Sequence, residues 1–376
     1  MSARANADPS RLSGRVRVVA RALAHRVAKP PRRRPQGSPR RILIAHHLLL
    51  GDTLMLTALL AKLRERFPKA EVVMALPQAY APLYAGRPYG VRAIGWSVRA
   101  PQVSKLWRER GFDLALVPGD NRFSWLAMAL DSGWIVAFGG DRPAAKSLVV
   151  DERRPYPGVP AAWADMVATL VDGPPPSRYV RSEWPDPPAD PFDLPQSGYG
   201  VLHVGASTPL KQWDSARWRA LAAWLGERGI EPVWSAGRGE EAAVLACVSG
   251  TSQRSYAGAL ELTQLWRLLA NATLLVAPDT GVAHLGRVVG VPTVALFGPG
   301  SATVSGAGDF WRDAPYRAVT VDPFPCRDQR VLFKREIDWV RRCGRSLAEC
   351  PHPRCMDAIG VDAVTAAIAE LGIAHK

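Results

Sequence analysis

The segment that most constrains how this chain can fold lies at 273–299. An apolar, β-branched run at 273–277 predicts a buried parallel strand, which a proline ends. Asp279 and Thr280 follow where helix caps are favoured, ahead of a helix predicted at 281–289. A glycine and a proline close that helix, and 293–297 predicts the next strand. The segment therefore predicts a βαβ unit and an α/β fold.

In a βαβ unit, ligands bind at the carboxyl ends of the strands, against the helix N-terminus. The free N–H groups and the helix dipole there favour a phosphate or diphosphate. His284 lies one turn inside the helix, so its side chain can lean back towards this end. A capping aspartate and a surface histidine are the plainer interpretation, whereas the Asp-Thr-Gly signature of aspartic proteases does not lead into such a helix. We expect Asp279, Thr280, Gly281 and His284 to form a binding site.

The same order of elements recurs near the start of the chain. A strand predicted at 41–45 leads through a loop to Asp52 and to a helix predicted at 54–67. Asp52 is either a helix cap or a catalytic carboxylate, and the local sequence alone favours the cap. His46 and His47 in that loop could act together as metal ligands. Adjacent strand residues point to opposite faces, however, which favours ordinary loop or core histidines.

Strands and helices alternate on both sides of a proline-rich stretch. Further strands are predicted at 71–76, 113–117, 135–138, 201–204 and 232–236, and further helices at 123–130, 215–228 and 262–270. Eight prolines at 172–198 exclude a long helix or central strand there. The predicted parts are a basic tail at 1–40, a doubly wound N-terminal domain at 41–180, a linker at 181–198, a C-terminal α/β domain at 199–358 and a terminal helical segment at 359–376.

A loop of small polar residues follows the first predicted strand of the second domain. It contains Ser207, Thr208 and Lys211. A lysine beyond a strand end is well placed to meet a phosphate. A solvated loop lysine is the alternative, and the Asp279 segment tips the interpretation towards a shared anion site.

The net charge of +14 is concentrated at one end of the chain. Twelve basic residues and a single acid, Asp8, lie within 1–41, so the rest of the chain is close to neutral. This distribution argues against a nucleic-acid groove built into the fold. Apolar residues at helical spacing among the arginines of 11–29 suit a helix lying on an anionic membrane surface. A disordered solubilising tail and an organelle transit peptide are the alternatives.

The sequence contains no apolar run near the ~20 residues that span a bilayer, and no secretory signal. Five cysteines in 376 residues do not form a disulfide framework, which fits a reducing compartment. We therefore expect a cytoplasmic protein.

Four segments, taken in order, resemble the heptosyltransferases of glycosyltransferase family nine, which add heptose to the lipopolysaccharide inner core. They are Leu50-Gly51-Asp52 before a helix ending Leu-Arg-Glu-Arg-Phe-Pro68, the loop 205–213 with its lysine and tryptophan, Asp279-Thr-Gly-Val-Ala-His284 followed by Phe-Gly-Pro, and Cys350-Pro-His-Pro-Arg-Cys355-Met. The resemblance runs from about Arg41 to the C-terminus and leaves the tail uncovered.

This resemblance implies the GT-B fold, with two facing Rossmann-like domains, a central cleft and a C-terminal helix at 361–371 that crosses back to the N-terminal domain. It implies inverting transfer of heptose from ADP-heptose to a lipopolysaccharide core acceptor, a Kdo or heptose hydroxyl on the lipid A core, at the inner face of the inner membrane. No cofactor is implied for catalysis. The implied site residues are Asp52 as the base, Lys211 against the diphosphate, Glu240 against the ribose, and Ser207, Thr208, Asp279, Thr280, Gly281 and His284 against the rest of the donor.

Two features depart from the family pattern. His46 and His47 stand where small polar residues are usual, so the acceptor can differ from that of the family. Four cysteines could hold a structural Zn²⁺ or Fe, although their irregular intervals favour free thiols; they are Cys326, Cys343, Cys350 and Cys355. The competing functions are a GT-B transferase with another nucleotide sugar, or with a protein or other glycan acceptor, and a non-enzymatic glycan-binding protein.

Overall fold

The protein is described by a computed structural model over residues 9–28, 34–97, 105–196, 198–248 and 252–373. Two parallel β-sheets, each flanked by helices, form its two domains. Within these ranges, no helix combines the length and the apolar composition that crossing a membrane requires.

The N-terminal sheet has six parallel strands in the order β3-β2-β1-β4-β5-β6. They are β1 (Arg41–Ala45), β2 (Glu71–Pro77), β3 (Arg92–Trp96), β4 (Leu114–Val117), β5 (Ile135–Phe138) and β6 (Glu152–Arg154). The strand order reverses between β1 and β4, which is the point where ligands bind in doubly wound sheets.

The C-terminal sheet has five parallel strands in the order β11-β10-β9-β7-β8, and it reverses between β7 and β9. They are β7 (Tyr199–His203), β8 (Glu231–Ser235), β9 (Leu274–Pro278), β10 (Thr293–Phe297) and β11 (Tyr316–Thr320). A short antiparallel hairpin follows, formed by β12 (Val331–Leu332) and β13 (Arg335–Glu336).

The α-helices cover both faces of these sheets. They are α1 (Pro9–Ala28), α2 (Leu50–Met55), α3 (Thr57–Arg66), α4 (Ser124–Ala129), α5 (Trp163–Ala168), α6 (Ser215–Gly226), α7 (Glu241–Val248), α8 (Leu262–Ala270), α9 (Gly281–Val289), α10 (Ala302–Ser305), α11 (Arg354–Asp357) and α12 (Val361–Glu370). Short 3₁₀ turns join several of them.

All eight strands predicted from the sequence are present, with their ends shifted by two residues at most. The helix predicted at 54–67 is present, but its predicted start is four residues too late and it is not continuous. The helix begins at Leu50, before Asp52, and it breaks at Leu56 into α2 and α3. Burial of the apolar side chains of α2 outweighs the missing N-cap, because tertiary packing supplies most of a helix's stability in proteins.

The two domains face each other with the carboxyl ends of their switch-point strands turned towards one cleft. Helix α2, which follows β1, packs directly against α9, which follows β9. This is the GT-B arrangement that the resemblance implies, and the fold prediction is confirmed.

The resemblance implies that the C-terminal helix crosses back to the N-terminal domain, but in the structure it does not. Helix α12 packs against β10, β11 and α6 of its own domain. Its buried Val364 and Ile368 join the core cluster that contains Trp213 and Trp218 of the same domain. The short apolar face of α12 is thus already used within the C-terminal domain.

The hairpin β12–β13 is the element that reaches across. Arg335 is 2% exposed, and its guanidinium donates to the backbone oxygen of Gly139 at 2.8 Å and to Oδ1 of Asn121 at 2.7 Å. Phe333 packs on Trp163 with ring centroids 4.5 Å apart. The segment after the last strand of the C-terminal sheet therefore ties the two domains together.

The proline-rich stretch is packed between the domains. Trp184 is fully buried, and its Nε1 donates to the backbone oxygen of Leu83 at 3.1 Å. Its ring lies 4.9 Å from that of Tyr84 in the N-terminal domain and 5.8 Å from that of Trp266 in the C-terminal domain. Aromatic burial on both sides makes this connection part of the domain interface.

The basic tail forms a helix that lies on the N-terminal domain. Ala22 of α1 is fully buried in the core cluster beneath α4. Arg21 Nε donates to the backbone oxygen of Ala129 at 2.9 Å, and its guanidinium lies 4.7 Å from the ring of Trp107. The remainder of the predicted tail at 1–8 and 29–33 lies outside the described residues.

Candidate functional site

The cleft between the domains contains a cavity of about 530 Å³. It lies at the carboxyl ends of β1, β7 and β9, where topology favours a ligand. The predicted site residues that line it are Asp52, Ser207, Thr208, Lys211, Asp279, Thr280, Gly281 and His284. The structure therefore brings three separate sequence motifs to one place.

Two glycines allow the domains to approach at the cavity. A Cβ atom on Gly51 would lie 2.6 Å from the ring of His284, and one on Gly281 would lie 2.9 Å from the Cβ of Leu50. Real Cβ atoms do not approach other atoms so closely. The glycine of each motif is thus required by the opposite domain's helix.

Asp52 lies in the first turn of α2, where Leu49 is the N-cap residue. None of the residues that the structure describes donates a hydrogen bond to its carboxylate, so the cap interpretation does not hold. Burial, together with the negative charge of Asp279, raises the pKa of Asp52 to about 6, while Lys211 and Arg342 oppose the rise. A carboxylate tuned in this way suits a general base near neutral pH.

Lys211 and Asp279 form an ion pair at the opposite wall of the cavity. Lys211 Nζ donates to Oδ2 of Asp279 at 3.0 Å and to the backbone oxygen of Asp279 at 2.6 Å. Asp279 therefore holds the lysine in the cavity and does not cap α9 as predicted. A diphosphate entering the cavity would meet a lysine that is already positioned.

The N-terminus of α9 has no side-chain cap. Thr280 occupies the N-cap position, but its side chain accepts no bond from the first turn, and its Oγ1 is buried without a partner among the described residues. The first backbone N–H groups of α9 remain available to a ligand in the cavity. Such a helix end binds anions readily.

His284 lines the cavity from inside the first turn of α9, as its position predicted. It is 7% exposed, and burial, reinforced by the charges of Arg287 and Lys211, holds its pKa well below the usual range. The imidazole is therefore neutral at physiological pH. Arg287 donates to Nδ1, which leaves the hydrogen on Nε2.

Glu240 lies apart from the other predicted residues. It follows β8, accepts a hydrogen bond from the backbone nitrogen of Gly237 at 2.9 Å, and its carboxylate lies against Gly205. It does not line the central cavity, although it lies next to the loop that carries Ser207. A nucleoside extending from the diphosphate towards β7 and β8 would reach it.

Two arginines in the cavity wall were missed from the sequence. Arg342 and Arg345 follow the interdomain hairpin and line the cavity. Arg345 is bound to Asp328 at 2.6 Å, whereas the side chain of Arg342 has no ion-pair partner within the described ranges. The only sequence signal was the basic run Arg341-Arg-Cys-Gly-Arg345, which offered no indication of a place in the fold.

The histidine pair and the cysteines do not form metal sites in the described part of the chain. His46 is buried, and burial lowers its pKa to about 3, while His47 is exposed on the other side of the strand end. All five cysteines are free thiols. Across the described residues, no three His, Cys, Asp or Glu side chains are grouped to hold a metal ion.

The arrangement separates two chemical tasks across the cavity. The N-terminal wall contains the carboxylate of Asp52, which accepts no hydrogen bond from the described residues and can take a proton from a hydroxyl group. The C-terminal wall offers a lysine, an arginine and a helix N-terminus that can stabilise an anionic leaving group. This combination fits group transfer from a diphosphate-activated donor.

Comparison with known proteins supports the same interpretation. The chain is 28% identical to lipopolysaccharide heptosyltransferase 1 of Pseudomonas aeruginosa, over 79% of this chain and 92% of the relative. It is 24% identical to lipopolysaccharide heptosyltransferase 3 of Escherichia coli, over 74% and 89% respectively. The solved structure of Escherichia coli ADP-heptose lipopolysaccharide heptosyltransferase II shares the fold, with a TM-score of 0.65 at 17% identity over 88% of this chain and 98% of that one.

The family profile for glycosyltransferase family 9 (heptosyltransferase) matches residues 102–311. That range includes the loop with Lys211 and the whole of α9. More than half of the chain is therefore matched, and the match contains Lys211 and the N-terminus of α9. The chain is a glycosyltransferase and belongs to glycosyltransferase family 9.

Proposed function

We propose that this protein transfers heptose from ADP-heptose to a hydroxyl group of a lipopolysaccharide core acceptor, with inversion at the anomeric carbon. The observation that carries the proposal is the placement of Asp52 across one cavity from Lys211 and the N-terminus of α9. The curated relatives are lipopolysaccharide heptosyltransferases, which supports the acceptor class.

In the proposed mechanism, Asp52 accepts the proton of the acceptor hydroxyl as its oxygen attacks the anomeric carbon. The bond to the diphosphate oxygen breaks on the opposite face, so configuration inverts. Lys211, Arg342 and the open N–H groups of α9 stabilise the charge that develops on ADP. The neutral imidazole of His284 donates a hydrogen bond from Nε2 to the sugar nucleotide without adding charge.

The donor is proposed to lie along the C-terminal domain. Ser207, Thr208, Thr280 and Gly281 surround the diphosphate, and Glu240 binds the ribose beyond it. Asp279 keeps Lys211 in place, and its carboxylate also accepts hydrogen bonds from hydroxyl groups of the sugar. The protein's own cations and the helix N-terminus supply positive charge to the departing diphosphate.

Turnover with a panel of donors and acceptors tests this proposal. ADP-heptose should be consumed with truncated core acceptors ending in Kdo or heptose, and NMR of the product should show inverted anomeric configuration. Efficient turnover of UDP-sugars, with none of ADP-heptose, would favour a transferase for another nucleotide sugar. Binding of core glycan without turnover of any donor would favour a glycan-binding protein.

We further propose that α1 holds the enzyme on an anionic membrane surface, at the inner face of the inner membrane where its acceptor is made. Val16 and Leu23 lie on one side of α1 and remain 59% and 46% exposed. The opposite face of the helix is the one that packs on the protein. An exposed apolar stripe beside arginines is typical of interfacial helices.

A flotation assay with vesicles tests the membrane proposal. Val16→Asp with Leu23→Asp should abolish binding to vesicles containing phosphatidylglycerol, and added salt should weaken wild-type binding. Turnover of a delipidated acceptor should be unchanged, because these residues lie outside the cavity. Equal flotation of variant and wild type would contradict the membrane role.

A further inference from the structure

A second and larger cavity, of about 980 Å³, lies in the N-terminal domain. It opens at the carboxyl ends of β1, β3 and β4, next to the point where the strand order reverses. One wall comes from α1, through Arg15, Val18 and Val19. Helix α1 belongs to the tail that the family resemblance leaves uncovered.

The floor of the cavity is aromatic. Trp96 and Phe123 pack edge to face with ring centroids 5.8 Å apart, and His47 stacks on Phe123 at 6.4 Å. Partial desolvation of the ring, together with the charge of Arg122, lowers the pKa of His47. Together with Val18 and Val19, these side chains offer a surface that suits an acyl chain.

The rim of the cavity is positively charged. Arg15, Arg122 and Lys146 line it together with one carboxylate, that of Asp120. Arg122 and Lys146 both pair with Asp120, at 2.6 Å and 3.1 Å. Arg15 is exposed and has no ion-pair partner among the described residues. Lys146 also pairs with Asp141 at 3.0 Å, so its charge is already balanced by two carboxylates. Arg15, together with Arg122, leaves a net positive charge at the rim that favours an anionic group such as a phosphate.

We propose that this cavity binds a phosphate-bearing amphiphile, with its chain on the aromatic floor and its phosphate against Arg15 and Arg122. This inference rests on the proposed function, which supplies the lipid-bearing acceptor and the membrane surface. The loop that carries His47 in the floor of this cavity continues to Leu49 and Leu50 in the wall of the catalytic cleft. The source is either the phosphorylated lipid portion of the acceptor or a membrane phospholipid that α1 meets.

Calorimetry with decyl phosphate tests the chemistry independently of transfer. The full chain should bind it saturably at one site, and decyl maltoside should bind at least tenfold more weakly, because it lacks the charge. Arg15→Gln should weaken decyl phosphate binding about 10-fold, as expected for a lost charge-assisted hydrogen bond. Arg17→Gln is the matched control on the same helix, since Arg17 is exposed and does not line the cavity.

The apolar part of the site is tested with a second matched pair. Val19→Asp places a carboxylate at the cavity and should reduce decyl phosphate binding at least 10-fold, whereas Val16→Asp on the exposed side of α1 should not. Both positions are solvent-exposed enough for the chain to fold. Absence of saturable binding, or equal losses within either matched pair, would overturn the proposal.

Two further measurements distinguish the sources. If the acceptor's lipid occupies the site, Arg15→Gln raises KM for an acylated acceptor in detergent and leaves KM for a delipidated one unchanged. If a membrane phospholipid occupies it, both KM values stay constant and flotation on phosphatidylglycerol vesicles falls relative to Arg17→Gln. If neither KM value nor flotation changes, the proposal is overturned. Turnover of ADP-heptose with the delipidated acceptor tests the proposed function separately.

Discussion

The segments after β1 and β9 share one local design and perform different tasks. Each runs from a buried strand through a short connection into a helix, and each brings one aspartate to the same cavity. Asp279 is bound to Lys211, whereas Asp52 accepts no hydrogen bond from the described residues. The pKa of Asp52 rises to about 6 through burial and through the charge of Asp279.

This contrast shows that the chemistry of a carboxylate depends on its partners more than on its motif. A lysine within hydrogen-bond distance turns Asp279 into a positioning group for that lysine. Asp52 has no such partner, so its ionised form is destabilised and its pKa is raised. A carboxylate with a raised pKa is a better proton acceptor. The two members of this ion pair act oppositely on Asp52, because the charge of Asp279 raises its pKa and the charge of Lys211 lowers it.

The largest expected effect comes from Asp52→Asn. Asparagine keeps the shape of the side chain but cannot accept the acceptor's proton, so turnover should fall roughly 10²–10⁴-fold while ADP affinity is retained. Steady-state kinetics and calorimetry on the folded variant measure both quantities. Asp214→Asn is the control, because Asp214 caps α6 and asparagine can cap it equally well. Near wild-type turnover would place the base elsewhere.

The next effect should come from Lys211→Met. Methionine fills similar space but removes the charge that we propose contacts the diphosphate, and it leaves the carboxylate of Asp279 unpaired. ADP affinity measured by calorimetry should fall about 10- to 100-fold, the equivalent of roughly 1.5–3 kcal/mol. Lys69→Met, at an exposed loop position, controls for the change in net charge. An unchanged affinity for ADP would remove Lys211 from the donor site.

Asp52→Asn should also stabilise the protein at neutral pH. Because the folded pKa of Asp52 lies above its unfolded value of 3.8, ionisation costs the folded state stability as pH rises through this window. Above pH 6 the variant should gain on the order of 2 kcal/mol in free energy of unfolding, and the gain should vanish below about pH 4. Urea unfolding at pH 4 and pH 7.5 measures the difference. A loss of stability at pH 7.5 would indicate a structural carboxylate instead.

The smallest effect should be a displacement of the pH profile by Asp279→Asn. In the wild type, kcat/KM should fall as pH drops through about 6, because Asp52 becomes protonated. Removing the Asp279 charge, and freeing Lys211, should lower the pKa of Asp52 and shift this acid limb by less than about one pH unit towards acid. An acid limb that stays in place would show that the two aspartates are not coupled.

Much of the fold could be predicted because local pattern and global topology agree. The apolar strands and the proline-rich junction are visible in the sequence, and all eight predicted strands are present. The start of α2 was misjudged because its stability comes from packing against α9, which lies more than 200 residues away in the chain. The partner of α12 was misjudged for a similar reason, since an apolar helix face does not specify which surface it will cover.

The sequence by itself determined the βαβ units, the family and several of the residues that line the C-terminal wall of the cavity, because glycines, short motifs and strand periodicity act over a few neighbouring residues. Only the tertiary structure decided that Asp279 pairs with Lys211, that Asp52 has no hydrogen-bond donor among the described residues, and that Arg342 lines the cleft. It alone showed that α1 completes a second cavity. These properties depend on burial and on charges brought together from distant parts of the chain, which local sequence does not encode.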